Sequence, residues 1–222
     1  MKDTRKAADG HEFSVYVAQP EGKPRGALVV VQEIFGVNDH IRAVADAYAA
    51  AGYLAIAPAL FDRVQPGYEA GYSQPEVTAG VEIMKQLNFD DALLDVKAVL
   101  DSVPAGTKAG IVGYCYGGTV AWLAACRLPS LGAAVCYYGG GIPNFANEVP
   151  QCATMLHFGN QDQSLPVDKA RMVAKQHPQV ISHFYEAGHG FNCDQRGSYE
   201  PDSAKLAFDR TREFLGQHLS AA

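Results

Sequence analysis

The chain is organised around residues 111–118, which read Ile-Val-Gly-Tyr-Cys-Tyr-Gly-Gly. The apolar residues around its start predict a short strand over 108–112, and a helix is predicted over 119–126. Between them lies the pattern Gly-x-Cys-x-Gly, a tight turn from strand to helix that lifts its middle side chain above the edge of a sheet. Small residues are needed there because neighbouring backbone crowds the turn.

Cys115, at the centre of this turn, is the candidate nucleophile. The N-terminus of the following helix directs partial positive charge at the side chain, which favours the thiolate. The alternative is a buried structural cysteine, because free cysteines are among the most buried side chains. The glycines at 113, 117 and 118 favour the nucleophile over that alternative.

Apolar segments elsewhere in the chain alternate between strand-like and helix-like patterns. Strands are predicted over 27–31, 53–57, 133–137, 155–158 and 180–185, an edge-type strand over 13–17, and helices from Asp39, Pro75, Asp90, Pro166 and Pro201. This alternation predicts a mostly parallel, doubly wound α/β sheet with helices on both faces. At 222 residues, the chain is expected to form a single domain over 1–222.

Composition restricts the classes of partner. The formal net charge is −6, without long runs of one sign, which argues against nucleic acids and anionic membranes. Five cysteines, an odd number without a C-x-x-C pair, indicate reduced thiols. Residues 1–10 are polar and lack the apolar core of a signal peptide. These features predict a cytoplasmic protein.

Three other reactive side chains each follow a predicted strand, namely Glu33, Asp162 and His189. In parallel sheets, ligands bind beyond the carboxyl ends of the strands, so these side chains and Cys115 are expected to meet at one edge. The chain order Cys115, Asp162, His189 is the order nucleophile, acid, base. Asp162 has an alternative role as a turn or helix-capping residue, and His189 as an ordinary loop histidine.

Two backbone N–H groups are the candidates for stabilising an oxyanion. One belongs to Tyr116, directly after Cys115, and the other to Ile34, in the loop after the strand over 27–31. Glu33, beside Ile34, is harder to interpret. Its residue type alone favours a solvated loop charge. The other interpretation is a carboxylate that keeps the thiol neutral, which would protect it from oxidation until substrate displaces the carboxylate.

Several stretches together resemble the dienelactone hydrolase family. They are Gln32-Glu33-Ile34-Phe35-Gly36-Val37-Asn38, Gly113-Tyr114-Cys115-Tyr116-Gly117-Gly118, Tyr137-Tyr138-Gly139, Gly159-Asn160-Gln161-Asp162 and Gly188-His189-Gly190-Phe191. The similarity runs from about residue 10 to residue 219. The glutamate loop and the cysteine turn are specific in combination.

The resemblance implies an α/β-hydrolase fold with a Cys-His-Asp triad at Cys115, His189 and Asp162. It also implies that Glu33 holds the resting thiol neutral and shifts when substrate arrives. The implied reaction is hydrolysis of small carboxylic esters or enol-lactones through an acyl-thioester intermediate, without a metal or an organic cofactor. The partner is then a small-molecule substrate, and the protein a monomer or small homo-oligomer.

The chain departs from the family pattern at the substrate end. Members with carboxylate-bearing substrates carry an arginine four residues after the catalytic histidine, and here that position is Cys193. Residues 64–90 contain no arginine either, which leaves Arg196 or Lys85 as replacements. The side chains that are candidates to line the pocket are Phe35, Tyr68, Tyr72, Tyr114, Cys193 and Arg196.

Two other functions fit the same pattern. One is a lactone- or ester-binding or sensing protein that keeps the fold without turnover. The other is an acyltransferase or cysteine peptidase, although the loop over 59–75 is short for an extended peptide cleft.

Overall fold

Eight strands form one sheet in the computed structural model, which describes residues 2–219. The strands are β1 (Lys2–Lys6), β2 (Glu12–Ala18), β3 (Gly26–Val31), β4 (Tyr53–Pro58), β5 (Ala109–Tyr114), β6 (Ala133–Tyr137), β7 (Ala153–Gly159) and β8 (Ile181–Tyr185). The helices are α1 (Asp39–Ala50), α2 (Gln74–Met84), α3 (Phe89–Asp101), α4 (Tyr116–Arg127), α5 (Val167–Gln176) and α6 (Pro201–Leu219).

The centre of the sheet is parallel. The strand order is β1-β2-β4-β3-β5-β6-β7-β8, and all pairs from β4 to β8 run parallel. Every residue of β3 and β4 is buried, as expected of apolar strands covered on both faces. The loops after β3, β5, β7 and β8 therefore leave the sheet at the same edge.

The antiparallel end of the sheet differs from the prediction. Residues 13–17 were expected in an edge strand, but β2 lies between β4 and β1, with Lys2 opposite Tyr16 and Lys6 opposite Glu12. The sequence of β1, Lys-Asp-Thr-Arg-Lys, is polar and carries no hydrophobic pattern. Charged residues suit an outermost strand because they discourage pairing with another chain.

Helices cover both faces of the sheet, which confirms the doubly wound arrangement. One face packs against α2 to α5 around Val96 and Trp122, and the opposite face packs against α1 and α6 around Tyr48 and Leu215. Two short 3₁₀ helices, Leu60–Arg63 and Ile142–Phe145, occupy segments predicted as loops. Along residues 2–219, none of the helices is both long and apolar enough to cross a bilayer.

A buried ion pair joins the first 3₁₀ helix to α3. Arg63 donates from Nε to Asp95 Oδ2 at 2.8 Å and from Nη2 to Asp95 Oδ1 at 2.7 Å. The Asp95 side chain is 0% exposed. Burial raises the pKa of the Asp95 carboxyl even though Arg63 acts in the opposite direction. The sequence pattern gave no indication of this pair, because its members are 32 residues apart.

Candidate active site

Cys115 lies on a strained turn between β5 and α4. Its φ of 55° and ψ of −113° place a non-glycine residue in a sparsely populated region. A Cβ atom at Gly113 would lie 1.8 Å from the carbonyl oxygen of Gly117, and one at Gly117 would lie 2.5 Å from that of Val31. The turn therefore requires glycine at both positions, and α4 begins at Tyr116, three residues before the predicted start at 119.

His189 bridges the thiol and the carboxylate that the sequence singled out. Its Nε2 lies 3.1 Å from Cys115 Sγ, and its Nδ1 lies 2.8 Å from Asp162 Oδ2. Three loops, after β5, β7 and β8, thus bring the side chains together as the chain order predicted. The ring of Tyr138 packs edge-on against the imidazole, with the centroids 5.2 Å apart.

Asp162 makes contacts that suit both roles considered for it. Its Oδ2 faces His189, while its Oδ1 accepts hydrogen bonds from the N–H groups of Ser164 at 2.7 Å and Leu165 at 2.9 Å. The turn thus fixes the carboxylate from one side. A carboxylate oxygen can only accept a hydrogen bond from the imidazole, so a proton lies on His189 Nδ1 and Nε2 faces the thiol.

The charges of the site favour a protonated imidazole. Burial alone would lower the pKa of His189, but the Cys115 thiolate and the Asp162 carboxylate outweigh it and raise this pKa to about 10. The arrangement therefore favours an imidazolium that is held in place by Asp162 and faces the Cys115 sulfur.

Glu33 is buried, contrary to the solvated loop charge that its residue type favoured. Its side chain is 1% exposed, and Oε1 accepts a hydrogen bond from Arg196 Nη1 at 3.1 Å. The Arg196 guanidinium lies 5.6 Å from the ring centre of Phe35 and 5.9 Å from that of Tyr72. Within residues 2–219, the second oxygen of Glu33, Oε2, has no hydrogen-bond partner.

A cavity of about 420 Å³ opens beside the thiol. Ile34, Cys115, Tyr116, His189 and Arg196 all line it, so the candidate nucleophile, base and oxyanion donors border one space. The remaining lining residues are Val77, Val81, Met84, Phe89, Thr119, Gly140, Gly141, Asn144 and Ser164.

Four of the pocket candidates do not line this cavity. Tyr114, next to Cys115, points to the opposite face of the sheet because side chains alternate along a strand, and its hydroxyl lies 3.1 Å from that of Tyr48. Tyr68 borders a different cavity. Phe35 is buried behind Arg196, and Cys193 is 0% exposed.

The two other candidates named for the substrate end also lie away from the cavity lining. Tyr72 packs edge-on against Phe35, with the ring centres 4.5 Å apart. Lys85 is exposed and pairs with Glu82 at 2.7 Å. Arg196 is thus the candidate that reaches the space beside the thiol.

The apolar wall of the cavity was not foreseen. Val77, Val81 and Met84 lie on one face of α2, and this face borders the cavity together with Phe89. The predicted order of strands and helices could have indicated this position. Helix α2 follows the loop at the carboxyl end of β4, so it lies at the edge of the sheet where the reactive loops meet.

Two further histidines, His157 and His183, lie within β7 and β8. His157 is fully buried, with Nδ1 2.8 Å from the Tyr185 hydroxyl and Nε2 3.0 Å from Thr211 Oγ1. Burial lowers the pKa of His157 well below its usual value, and it lowers that of His183 as well. His157 is therefore a neutral structural group.

The chain is similar in sequence to known proteins over nearly its whole length. The sequence profile of the Dienelactone hydrolase family matches residues 13–219. A Pseudomonas putida protein named carboxymethylenebutenolidase is 30% identical over 218 residues, which cover 93% of this chain and 92% of that protein. A Synechocystis protein provisionally given the same name is 33% identical over 229 residues, covering 94% of this chain and 93% of its own length.

A solved structure extends the comparison to three dimensions. A Klebsiella pneumoniae protein provisionally named dienelactone hydrolase superposes with a TM-score of 0.84 at 28% identity. The match covers 98% of this chain and 99% of that chain.

Proposed function

The chain belongs to the dienelactone hydrolase family, and from this membership we propose that it hydrolyses small carboxylic esters or lactones through an acyl-thioester on Cys115. The observation that carries the proposal is the position of His189, 3.1 Å from the Cys115 sulfur and 2.8 Å from Asp162. This is the hydrogen-bonded chain of nucleophile, base and orienting acid that covalent acyl transfer requires. The proposed reaction needs no metal or organic cofactor.

In the first half of the reaction, the Cys115 sulfur attacks the carbonyl carbon of the substrate. The tetrahedral oxyanion accepts hydrogen bonds from the backbone N–H groups of Tyr116 and Ile34. Both residues border the cavity. Tyr116 is the first residue of α4, and the first N–H groups of a helix have no acceptor within the helix. His189 then donates its Nε2 proton to the departing alkoxide, leaving the acyl group on sulfur.

In the second half, a water molecule attacks the thioester carbonyl. Neutral His189 takes a proton from this water, and collapse of the second tetrahedral intermediate breaks the carbon–sulfur bond. The carboxylic acid leaves the thiolate and imidazolium behind, and the proton of the imidazolium passes to the sulfur when Glu33 returns, which restores the resting neutral thiol. Asp162 holds the ring in one orientation and stabilises the imidazolium throughout.

For Glu33 we propose the role that the family resemblance implies, a carboxylate that stabilises the neutral thiol and is drawn away when substrate binds. Its contact with Arg196 supports the displaced state in this role, because the guanidinium already holds the carboxylate through Oε1. A buried carboxylate without such a partner would be costly.

The cavity supports neutral substrates with an apolar acyl or alcohol group. Its wall of Ile34, Val77, Val81, Met84 and Phe89 is apolar, and the charge of Arg196 is already balanced by Glu33. We expect kcat/KM to rise with acyl chain length in a series of p-nitrophenyl esters, by up to about tenfold per two methylenes buried. A preference for a carboxylate-bearing ester over its neutral methyl ester would contradict this assignment.

The test of the reaction compares wild type with Cys115→Ala on an activated ester and an enol-lactone. The variant is expected to lose hydrolysis, and mass spectrometry of wild type is expected to show a transient acyl adduct on Cys115. Cys152→Ala, which removes a partly buried thiol elsewhere, is the matched control and is expected to retain activity. Equal rates in wild type and Cys115→Ala would end the proposal, and lactone binding without acid release would favour the sensing function.

We place this activity in the cytoplasm, within one domain. All five cysteines are free thiols, which suits a reducing compartment. The single sheet that carries all four reactive loops supports one domain.

A further inference from the structure

Behind the cavity, three buried side chains of metal-ligand type converge. A nitrogen of His40, the sulfur of Cys193 and a carboxylate oxygen of Glu33 lie within 4.8 Å of one another. The three residues are 4%, 0% and 1% exposed, respectively. Among the residues that the structure describes, no other group of three such side chains meets this spacing. We propose that Glu33, His40 and Cys193 form a binding site for a zinc-class divalent cation.

Two ligand atoms of this cluster lack a partner. Glu33 Oε2 and His40 Nε2 are buried and have no hydrogen-bond partner within residues 2–219. Buried polar atoms are nearly always satisfied, and an ion or a water molecule is the usual reason for an apparent exception. Cys193 supplies the soft ligand that selects zinc-class metals over magnesium and calcium, which prefer oxygen.

The surroundings of His40 match those of a metal-binding histidine. Its Nδ1 lies 3.2 Å from Asp194 Oδ1, so the proton resides on Nδ1 and the lone pair of Nε2 faces inward. A carboxylate behind the imidazole is the usual outer partner of a metal-bound histidine, where it fixes the tautomer and raises ligand basicity. Asp194 is 68% exposed, and it borders a cavity of about 290 Å³ together with His40, which gives an ion a route from solvent.

Distances and charges are compatible with a bound cation. Ligand atoms of tetrahedral zinc lie about 3.5 Å apart, so side-chain movements of about 1 Å suffice to close the cluster. Cys193 would bind as the thiolate, because a coordinated metal displaces the proton of a thiol. Arg196 opposes the cation through its contact with Glu33, but thiolate and carboxylate together supply two negative charges against its one.

The proposed site shares Glu33 with the groups proposed to take part in hydrolysis, so its test measures metal binding directly rather than through activity. The experiment uses Cys115→Ala protein, so that the reactive thiol cannot bind the probe. Titration with Co²⁺ is expected to produce a thiolate-to-cobalt charge-transfer absorption that saturates at one ion per chain and is abolished by Zn²⁺. Absence of this absorption, as expected if a water molecule alone joins Glu33 and His40, would overturn the proposal.

Two further variants in the same background locate the ion. Cys193→Ala is expected to abolish the absorption, whereas Cys152→Ala, which removes a thiol in another part of the fold, is expected to retain it. Asp194→Asn changes an exposed residue with little risk to folding, and it is expected to weaken Co²⁺ binding by about 10- to 100-fold. An absorption that survives Cys193→Ala, or an affinity unchanged in Asp194→Asn, would refute the assignment.

Discussion

The role of Asp162 can be tested through a change of one atom. In Asp162→Asn, the amide can present an N–H toward His189 Nδ1, which favours the tautomer with its proton on Nε2 and removes the base. We expect kcat to fall by about 10³- to 10⁴-fold with little change in fold, as in other triads. The measurement is steady-state hydrolysis of an activated ester, with thermal unfolding as a check on folding.

Asp168→Asn is the matched control for this substitution. Asp168 is another acid close to Asp162 in sequence, and it is exposed in the first turn of α5. The control is expected to retain full activity. A similar loss in both variants would assign the effect to the segment rather than to the contact with His189.

The sequence predicted single residues well where chain order or a motif constrained them. Cys115, Asp162 and His189 do meet, because three strands of one parallel sheet deliver them to the same edge. Pairs that depend on distant side chains were not predictable. Glu33 and Arg196 are 163 residues apart, and nothing local in the sequence indicates that one neutralises the other.

Gly80 allows α2 to pack closely against the loop that carries Ile34, the proposed oxyanion donor. A Cβ atom at this glycine would lie 2.3 Å from the carbonyl oxygen of Ile34. Gly80→Ala is therefore expected to push the helix and the loop apart and to lower kcat by about 10- to 100-fold, because shifts of about 1 Å misplace catalytic groups. The substitution otherwise favours a helix by about 1 kcal/mol, so a loss of activity isolates the contact.

Gly197→Ala, which adds the same methyl group in a turn outside α2, serves as the control. A Cβ atom there would meet nothing within 4 Å. The measurements are kcat and the melting temperature of both variants. Unchanged kcat in Gly80→Ala would show that the position of α2 does not control the proposed oxyanion donor at Ile34.

The ion pair between the first 3₁₀ helix and α3 leads to a prediction about stability. Arg63→Leu leaves the buried Asp95 carboxylate without its partner and is expected to cost about 3–5 kcal/mol of unfolding free energy near neutral pH. The pKa of Asp95 is raised in the folded protein, so its ionised form destabilises the fold, and protonation removes this penalty. The deficit is therefore expected to shrink as pH falls toward about 4.

Urea unfolding of both proteins across this pH range provides the measurement. Arg127→Leu, which breaks a more exposed pair with Glu148, is the control and is expected to cost less than about 1 kcal/mol. A deficit for Arg63→Leu that is constant with pH would show that Asp95 does not carry the buried charge.

For the whole molecule, stability is expected to fall below about pH 6.5 because His157 is held neutral. Its pKa is lowered by burial, so the unfolded chain takes up a proton that the folded protein excludes, and stability is lost as pH falls. His157→Gln is expected to reduce this slope by up to about 1.4 kcal/mol per pH unit. The pKa of His189 is raised instead, so its contribution to stability is lost as pH rises above about 6.5.

The unfolding free energy of wild type and His157→Gln, measured between pH 7 and pH 4, tests this assignment. His183 retains its own lowered pKa in both proteins, so part of the slope remains. Identical slopes would mean that His157 is charged, or free to become charged, in the folded protein.

Hydrophobic pattern was sufficient to predict most of the architecture. The buried strands β3 and β4 and the long helix α6 were recognised because their burial follows from apolar runs and helical spacing. β1 was missed because its five residues are polar, so their pairing with β2 leaves no hydrophobic pattern in the sequence. The early start of α4 was missed because the glycines at 117 and 118 weaken a helical pattern, although the turn at Cys115 requires them there.

The reactive loops are spread along almost the whole chain, from Glu33 after β3 to His189 after β8. A nascent polypeptide released before its last quarter is made would carry Cys115 but not His189, the imidazole proposed to activate it. During refolding, most helical signal can return before the final parallel strand docks. Recovery of hydrolytic activity is therefore expected to lag behind recovery of the circular dichroism signal. A chain truncated before β8 is expected to expose the Cys115 thiol and to lack activity.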